Sequence, residues 1–385
     1  MIAKRRAVGC RPLAVGTHAV AGAATIGSML SGQATKEGTR RYRDRFPEAR
    51  EAGHFRRLGD CWVSSIGLGT YLGEPTDAVD RAYEKAVHEA LSLGCNLFDT
   101  AVNYRHQRSE RALGRALASA FDRGLATREE VVVCTKGGFV PFDHEAPEDP
   151  AEFVRRNFLA TDLVGPGDLI ADSHAMNAGF LSHQLATSRS NLGLETIDLY
   201  YLHNPETQAN AVDPAEFTER LRTALELLAE RQAAEEVAMY GVATWTGLRQ
   251  PIGSPGALDL ESIRDLGGAG LAAVQAPLNL AMPEALALPT QELGEVAVPL
   301  VVAARALDLG LIASASILQG QLRDLPGEIA EAIPDLQSDA QRALQFTRSL
   351  PGVTSALVGM SSVAHVRENM ALAKMPPTSI DAIQQ

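Results

Sequence analysis

The chain has 385 residues, 45% hydrophobic and 21% charged, with a net charge of −12. That balance is ordinary for a soluble enzyme with a large core, and it argues against a nucleic-acid binder with a broad basic face. Four cysteines, Cys10, Cys61, Cys95 and Cys134, show no CxxC pair or metal spacing. Cys95 and Cys134 fall in or beside apolar runs as small core residues, which fits a reducing, cytoplasmic compartment.

Residues 1–57 read as an N-terminal extension, partly disordered or helical. "MIAKRR" and the mildly apolar run after it faintly resemble an export signal, but no small-x-small cleavage site follows, and a disordered start is the favoured reading. "TRRYRDRFPEAREAGHFRR" interleaves bases with acids and reads as a solvated face. No stretch reaches the roughly 18 apolar residues of a membrane span.

From residue 58 to 385, short apolar runs alternate with helical patterns. "WVSSIGLGTYL" is the first candidate strand, and "DAVDRAYEKAVHEALSLG" a helix that stops at Gly94. "CNLFDT" is the second strand, followed by the helix "SERALGRALASAFDRG" with Ser109 as its N-cap. "VVVCTKGGF" is the third. A connection of about 137–180 then breaks the rhythm; it is rich in Pro, Asp and Gly and far longer than a usual strand-to-helix loop. "TIDLYYLHNP", "MYGVATW", "AAVQAPLNLA", "LIASASIL" and "SALVGMSS" continue the strands, with helical segments between them and "VAHVRENMALAK" as the last helix. Eight strand–helix units predict an α/β fold, a single closed (β/α)8 TIM barrel with its active face at the strand C-termini.

Four polar residues fall on that face. Asp99 closes the second strand with Tyr104 just beyond, Lys136 closes the third and His203 the fourth. Neighbouring parallel strands lie about 4.8 Å apart, so these side chains can converge. A lysine cation beside a tyrosine favours the phenolate and draws the phenol, ordinarily near ~10, toward the range of a useful acid. Asp99 would hold Lys136 charged, and His203 could orient a carbonyl oxygen. Taken singly, each has a bland explanation: a turn cap, a packing tyrosine, a solvated lysine, a structural histidine. Their joint placement on consecutive strands is what points to catalysis.

"FDTAVNY", "VCTKGGF" and "DLYYLHNP" resemble, in order, the three core motifs of the aldo-keto reductases. "LGDCWVSSIGLGTYLG" is similar to that family's opening hairpin, which closes the barrel bottom, and its first strand. "LVGMSSVAHVRENMALA" resembles its closing cofactor helix. The resemblance implies an oxidoreductase that carries a hydride from a nicotinamide cofactor to an aldehyde or ketone. Tyr104 would be the general acid, Lys136 its partner, Asp99 the anchor of Lys136 and His203 the carbonyl-orienting residue. It further implies cofactor contacts from Gly69, Thr70, Gln275, Ser316, Gly359, Ser361, Glu368 and Asn369, and substrate contacts from Tyr71, Trp245 and Arg105. NADPH is the expected coenzyme, with NADH possible. No GxGxxG fingerprint follows a strand, so the binding mode is not a Rossmann one.

The sequence departs from the family pattern at several points. Arg105 and His106 stand where a glycine usually follows the catalytic tyrosine. They either line the mouth and favour an acidic or polyhydroxylated substrate, or form loop salt bridges with nearby acids. A usual Ser-Asn pair reads Ala243-Thr244, which suggests a lost amide contact. Rival readings are a nicotinamide-binding redox sensor or regulatory barrel, and a nonredox isomerase or dehydratase on the same fold. A metal-dependent hydrolase would want clustered His and carboxylate ligands, and the first strand has none. The expected partner is a small carbonyl compound, with neither nucleic acid nor membrane; the sequence carries no signal of oligomeric state.

Overall fold

The apolar runs become eight parallel strands: β1 (Ile66–Gly69), β2 (Leu97–Asp99), β3 (Val132–Gly137), β4 (Ile197–His203), β5 (Val237–Ala243), β6 (Leu271–Pro277), β7 (Gly310–Ser314) and β8 (Val353–Gly359). They pair in chain order, and β8 returns to β1, closing the barrel. The computed structural model describes residues 29–165 and 167–379. A helix packs outside each unit: α1 (Asp77–Ser92), α2 (Arg108–Asp122), α3 (Ala178–Leu192), α4 (Pro214–Ala233), α5 (Leu260–Gly267), α6 (Leu300–Ala306), α7 (Asp339–Ser349) and α8 (Val363–Met370). Side-chain caps start several of them. Thr76, Asp213, Asp259, Ser338 and Ser362 each accept from backbone N–H groups of the first turn, worth about 1 kcal/mol apiece.

The expected cap at Ser109 is corrected. α2 begins at Arg108, its N-cap Gln107 is left-handed, and the Ser109 hydroxyl instead donates to the carbonyl of Thr70 at 2.7 Å. α3 is a helix that periodicity did not signal. Its buried face includes Gln184 and Ser188 among Phe180, Leu181 and Leu185, so polar residues interrupt the apolar stripe. The long connection before it carries a short helix, Pro150–Val154, running into a wide turn at Arg155–Leu159. It also has a small core of its own in Phe158, Val164, Ala175 and Phe180.

At the opposite face, an antiparallel hairpin pairs Phe55–Leu58 with Cys61–Ser64. It closes the barrel bottom: Leu58, Cys61 and Val63 pack with inward-facing Leu97, Val132, Leu199 and Ile312. The hairpin begins at Phe55, inside the segment read as extension, and the helix Lys36–Asp44 packs against it. The Trp62 amide donates to Thr39 Oγ1 at 3.0 Å, and the Tyr42 hydroxyl donates to the carbonyls of Leu91 and Cys95 at 2.7 and 2.9 Å. The disordered start expected of the first residues lies outside those described. Cys61, Cys95 and Cys134 are free and buried, and burial pushes all three thiols upward. Among the described residues, no helix is long and apolar enough to cross a membrane.

One buried ion pair joins this lower face. Asp198 on β4 accepts from Arg128 Nη2 at 2.8 Å, from the Val133 amide at 2.8 Å and from the Ala34 amide at 2.6 Å. Replacing Asp198 with Ala leaves a buried guanidinium and two amides without their acceptor. Urea unfolding should show a loss of about 3–5 kcal/mol; a loss below about 1 kcal/mol would contradict this account of the network.

Candidate active site

β2, β3 and β4 run in register, with Asp99 opposite Cys134 and Lys136 opposite Tyr201. That register carries Asp99, Lys136 and His203 to one rim. Lys136 is completely buried, and its ammonium donates to Asp99 Oδ1 at 2.5 Å and to the carbonyl of Thr100 at 2.8 Å. It stands 4.8 Å from the centre of the Tyr104 ring. The Tyr104 ring in turn lies 5.9 Å from His203, nearly edge-on. Gln275 on β6 donates to the second oxygen of Asp99 at 2.9 Å.

Charge states follow from this enclosure. Burial works to strip Lys136 of its proton, but Asp99 and Tyr104 overcome it and the net shift is upward. His203 is held well below the usual imidazole range by burial, with Lys136 and His174 adding to the effect, so its ring is neutral. Tyr104 corrects the expectation of a lowered phenol. Desolvation raises it more than Lys136 lowers it, and the net shift is above the ordinary 10.0. The hydroxyl therefore keeps its proton across neutral pH, with a cation beside it.

Above these groups opens a cavity of about 470 Å³ at the strand C-termini. Asp99, Tyr104 and His203 line it, as do Gly69, Thr70, Tyr71, Trp245, Gln275, Ser316 and Gly359. Lys136 sits behind that wall. Ser361, Glu368 and Asn369 lie beyond the cavity. Glu368 accepts from the Ser338 hydroxyl, Asn369 is buried, and neighbouring Ser362 caps α8.

Arg105 does not face the substrate space, which corrects its assignment. It is 7% exposed and donates to the Asp80 carboxylate and to the carbonyl of Glu74, under the Tyr83 ring. The cause is local: Arg105, His106 and Gln107 all adopt positive φ (47°, 56° and 66°). This left-handed run turns the chain away from the mouth straight after Tyr104.

Some cavity residues went unrecognised in the sequence. Asn103, Phe139 and Asn204 line the wall. Each lies within three residues of a residue singled out at a strand exit, and that adjacency was the available signal. Thr244 also changes the expected loss at the end of β5: its hydroxyl is buried, unpartnered and on the cavity wall. Glu206 fixes this corner by accepting from the amides of Trp245 and Thr246 at 2.7 and 3.0 Å.

A model of the aldo/keto reductase family matches residues 65–385. The chain belongs to that family. Solved structures share its barrel. An aldo-keto reductase from Klebsiella pneumoniae in complex with NADPH matches with a TM-score of 0.57 at 20% identity, over 85% of this chain and 91% of that one. The holo form of AKR11C1 from Bacillus halodurans matches with a TM-score of 0.58 at 18% identity, over 86% and 94%. Among curated relatives, deoxymugineic acid synthase 1 of Zea mays is 29% identical over 49% of this chain and 48% of its own. NADH-specific methylglyoxal reductase of Escherichia coli is 30% identical over 37% and 39%. The chain thus spans less than half the length of these curated relatives.

Within this member of the aldo/keto reductase family the buried pair is the most exacting feature. Replacing Asp99 with Asn leaves the Lys136 ammonium enclosed without an anion. Denaturant unfolding should then show about 3–5 kcal/mol of destabilisation, and an unchanged midpoint would contradict the pairing.

Proposed function

We propose that the protein reduces a small, uncharged aldehyde or ketone with a nicotinamide coenzyme, NADPH, and that Tyr104 is the general acid. The observation that carries this reading is the Tyr104 phenol, set on the cavity wall over a buried ammonium that Asp99 keeps charged. The cavity residues suit a nicotinamide. The orphaned Thr244 hydroxyl meets the needs of a carboxamide, Gln275 stands beside it across β5 and β6, and Tyr71 and Trp245 offer aromatic faces. Gly69, Thr70, Ser316 and Gly359 would border the coenzyme toward the pyrophosphate, and Ser361, Glu368 and Asn369 would serve its adenosine end. The Klebsiella neighbour in complex with NADPH supports the choice of coenzyme. On α8, Arg367 is bound to Glu89 at 2.6 Å, so Ser361 and His365 are the residues that would read a 2′-phosphate.

When bound, the coenzyme would supply the hydride that reduces the carbonyl carbon. His203, neutral and on the wall, orients the substrate oxygen by hydrogen bonding. As the carbon–oxygen π pair moves onto that oxygen, Tyr104 gives it the phenolic proton, and Lys136 stabilises the phenolate that remains. Asp99 keeps Lys136 protonated throughout. Among the described residues the cavity wall carries no charged side chain beyond Asp99. A carboxylated or phosphorylated substrate would find no counter-charge there, which is why the proposed substrate is neutral.

Replacing Tyr104 with Phe should lower the turnover of methylglyoxal with NADPH by about 10²–10⁴-fold while leaving the coenzyme Kd within about twofold. The pH dependence follows from the upward shift of Tyr104: reduction needs the O–H form, which persists below its pKa and is lost above it. Turnover should therefore hold through the neutral range and fall only beyond about pH 10. A basic limb near pH 7 to 8 would remove Tyr104 from the role.

A further inference from the structure

The connection between β3 and α3 has an assignable task. Its returning end, Ile170–His174, is a tight turn: the Ile170 amide donates to the carbonyl of His174 at 2.8 Å, and the His174 amide donates back to Ile170 at 3.1 Å. Ala171 and Asp172 inside it take positive φ (49° and 50°), a strained conformation that persists only where surrounding contacts enforce it. The turn is stitched to the exit of β3: the Val140 amide donates to Ser173 at 2.7 Å and the Ala175 amide to Gly138 at 2.9 Å. These bonds carry the His174 imidazole, 1% exposed, underneath His203.

Arg220 is a donor only, so the amide oxygen of Gln208 must face its Nη1. The Gln208 nitrogen then points the other way and donates to His174 Nδ1 at 3.1 Å and to the His174 carbonyl at 2.9 Å. The carbonyl of Asp168 is a third acceptor at 3.3 Å for the two protons of that nitrogen, so the tautomer is fixed at the other side of the ring, where a main-chain carbonyl, which can only accept, requires the ring proton on Nε2 and leaves Nδ1 to accept. Nε2 lies 2.8 Å from the main-chain carbonyl of His203 and donates to it. Burial holds the imidazole down to about 4, so it stays neutral and the arrangement persists at neutral pH. The Phe139 ring stands 5.0 Å from each imidazole and nearly perpendicular to both. Gly138 leaves the room: a Cβ there would lie 2.8 Å from His174 Nε2 and 2.9 Å from the His203 carbonyl. The other end of the same connection meets the turn after Tyr104, where the His144 amide donates to His106 at 3.1 Å and Gln107 donates to Phe142, also at 3.1 Å.

We propose that His174 is a positioning residue for His203, and that through it the connection from Gly138 to Asn177 is part of the catalytic framework. The proposal rests on the carbonyl-orienting role given to His203 above. If His174 merely satisfied a buried carbonyl, its loss would cost stability without regard to His203. If it positions His203, its loss acts on turnover only while His203 is present.

The test is a cycle of variants assayed with para-nitrobenzaldehyde and NADPH. Replacing His174 with Leu should lower kcat by about 10- to 100-fold, with KM and the NADPH Kd changed by less than about threefold. His174→Gln keeps an N–H donor and should recover most of the rate. In a His203→Ala background, adding His174→Leu should cost nothing further. An equal loss in both backgrounds, or no loss in either, overturns the proposal. Nitrogen NMR of histidine-labelled wild-type protein gives a reading independent of activity and of the variants' folding: His174 should appear as the neutral Nε2–H tautomer, and the Nδ1–H form would refute the assignment alone. A wild type that turns over no aldehyde would instead sink the reductase reading, and this inference with it.

Discussion

The Asp99–Lys136 ion pair is the constraint around which the upper face is built. Two opposite charges taken out of water cost several kcal/mol each unless their geometry is tight and their remaining hydrogen-bonding capacity is filled. Here the filling comes from separate elements: Thr100 follows β2, Gln275 comes from β6 and Tyr104 from the turn beyond β2. Barrel closure is what brings them together, because β6 reaches Asp99 only across the interior. A slip of one residue in β2 or β3 would turn Asp99 or Lys136 to the opposite face and break the arrangement. Fold specificity and chemistry therefore depend on the same contact.

That contact also explains the division of roles on the rim. Lys136 is too deeply placed to meet a substrate, so in the proposed reaction its charge would act through Tyr104. Tyr104 is enclosed enough to keep its proton, and the cation beneath it would lower the cost of giving that proton up. His203, deprived of charge by burial and by the same cation, is left as a neutral hydrogen-bonding group. Three titratable side chains within one small volume are pushed into three different states by their surroundings.

The barrel and this rim were legible in the sequence because both follow from strand periodicity. A parallel strand covered on both faces is a continuous apolar run, and a polar residue that ends it marks the rim. What was not legible depended on features without a period. Helix α3 was hidden because Gln184 and Ser188 face inward. Arg105 was misplaced because three consecutive left-handed residues, none of them glycine, reverse the chain after Tyr104. The direction of the Tyr104 shift was missed because the neighbouring lysine is visible in sequence while the depth of burial is not. The link from His174 to His203 joins the connection before α3 to the last residue of β4, and only the folded chain brings them into contact.

In the proposed reaction the cavity over Tyr104 holds a nicotinamide, with Trp245 on its wall. The most direct measurement is a tryptophan-fluorescence titration with NADPH, and separately NADH, on wild-type protein and on Trp245→Phe. The other tryptophan, Trp62, lies on the bottom hairpin among Arg43 and Arg57, so it serves as an internal control. Saturable quenching is expected in the wild type and should be largely lost in the variant. Quenching by neither coenzyme, or quenching that is undiminished without Trp245, would contradict this placement.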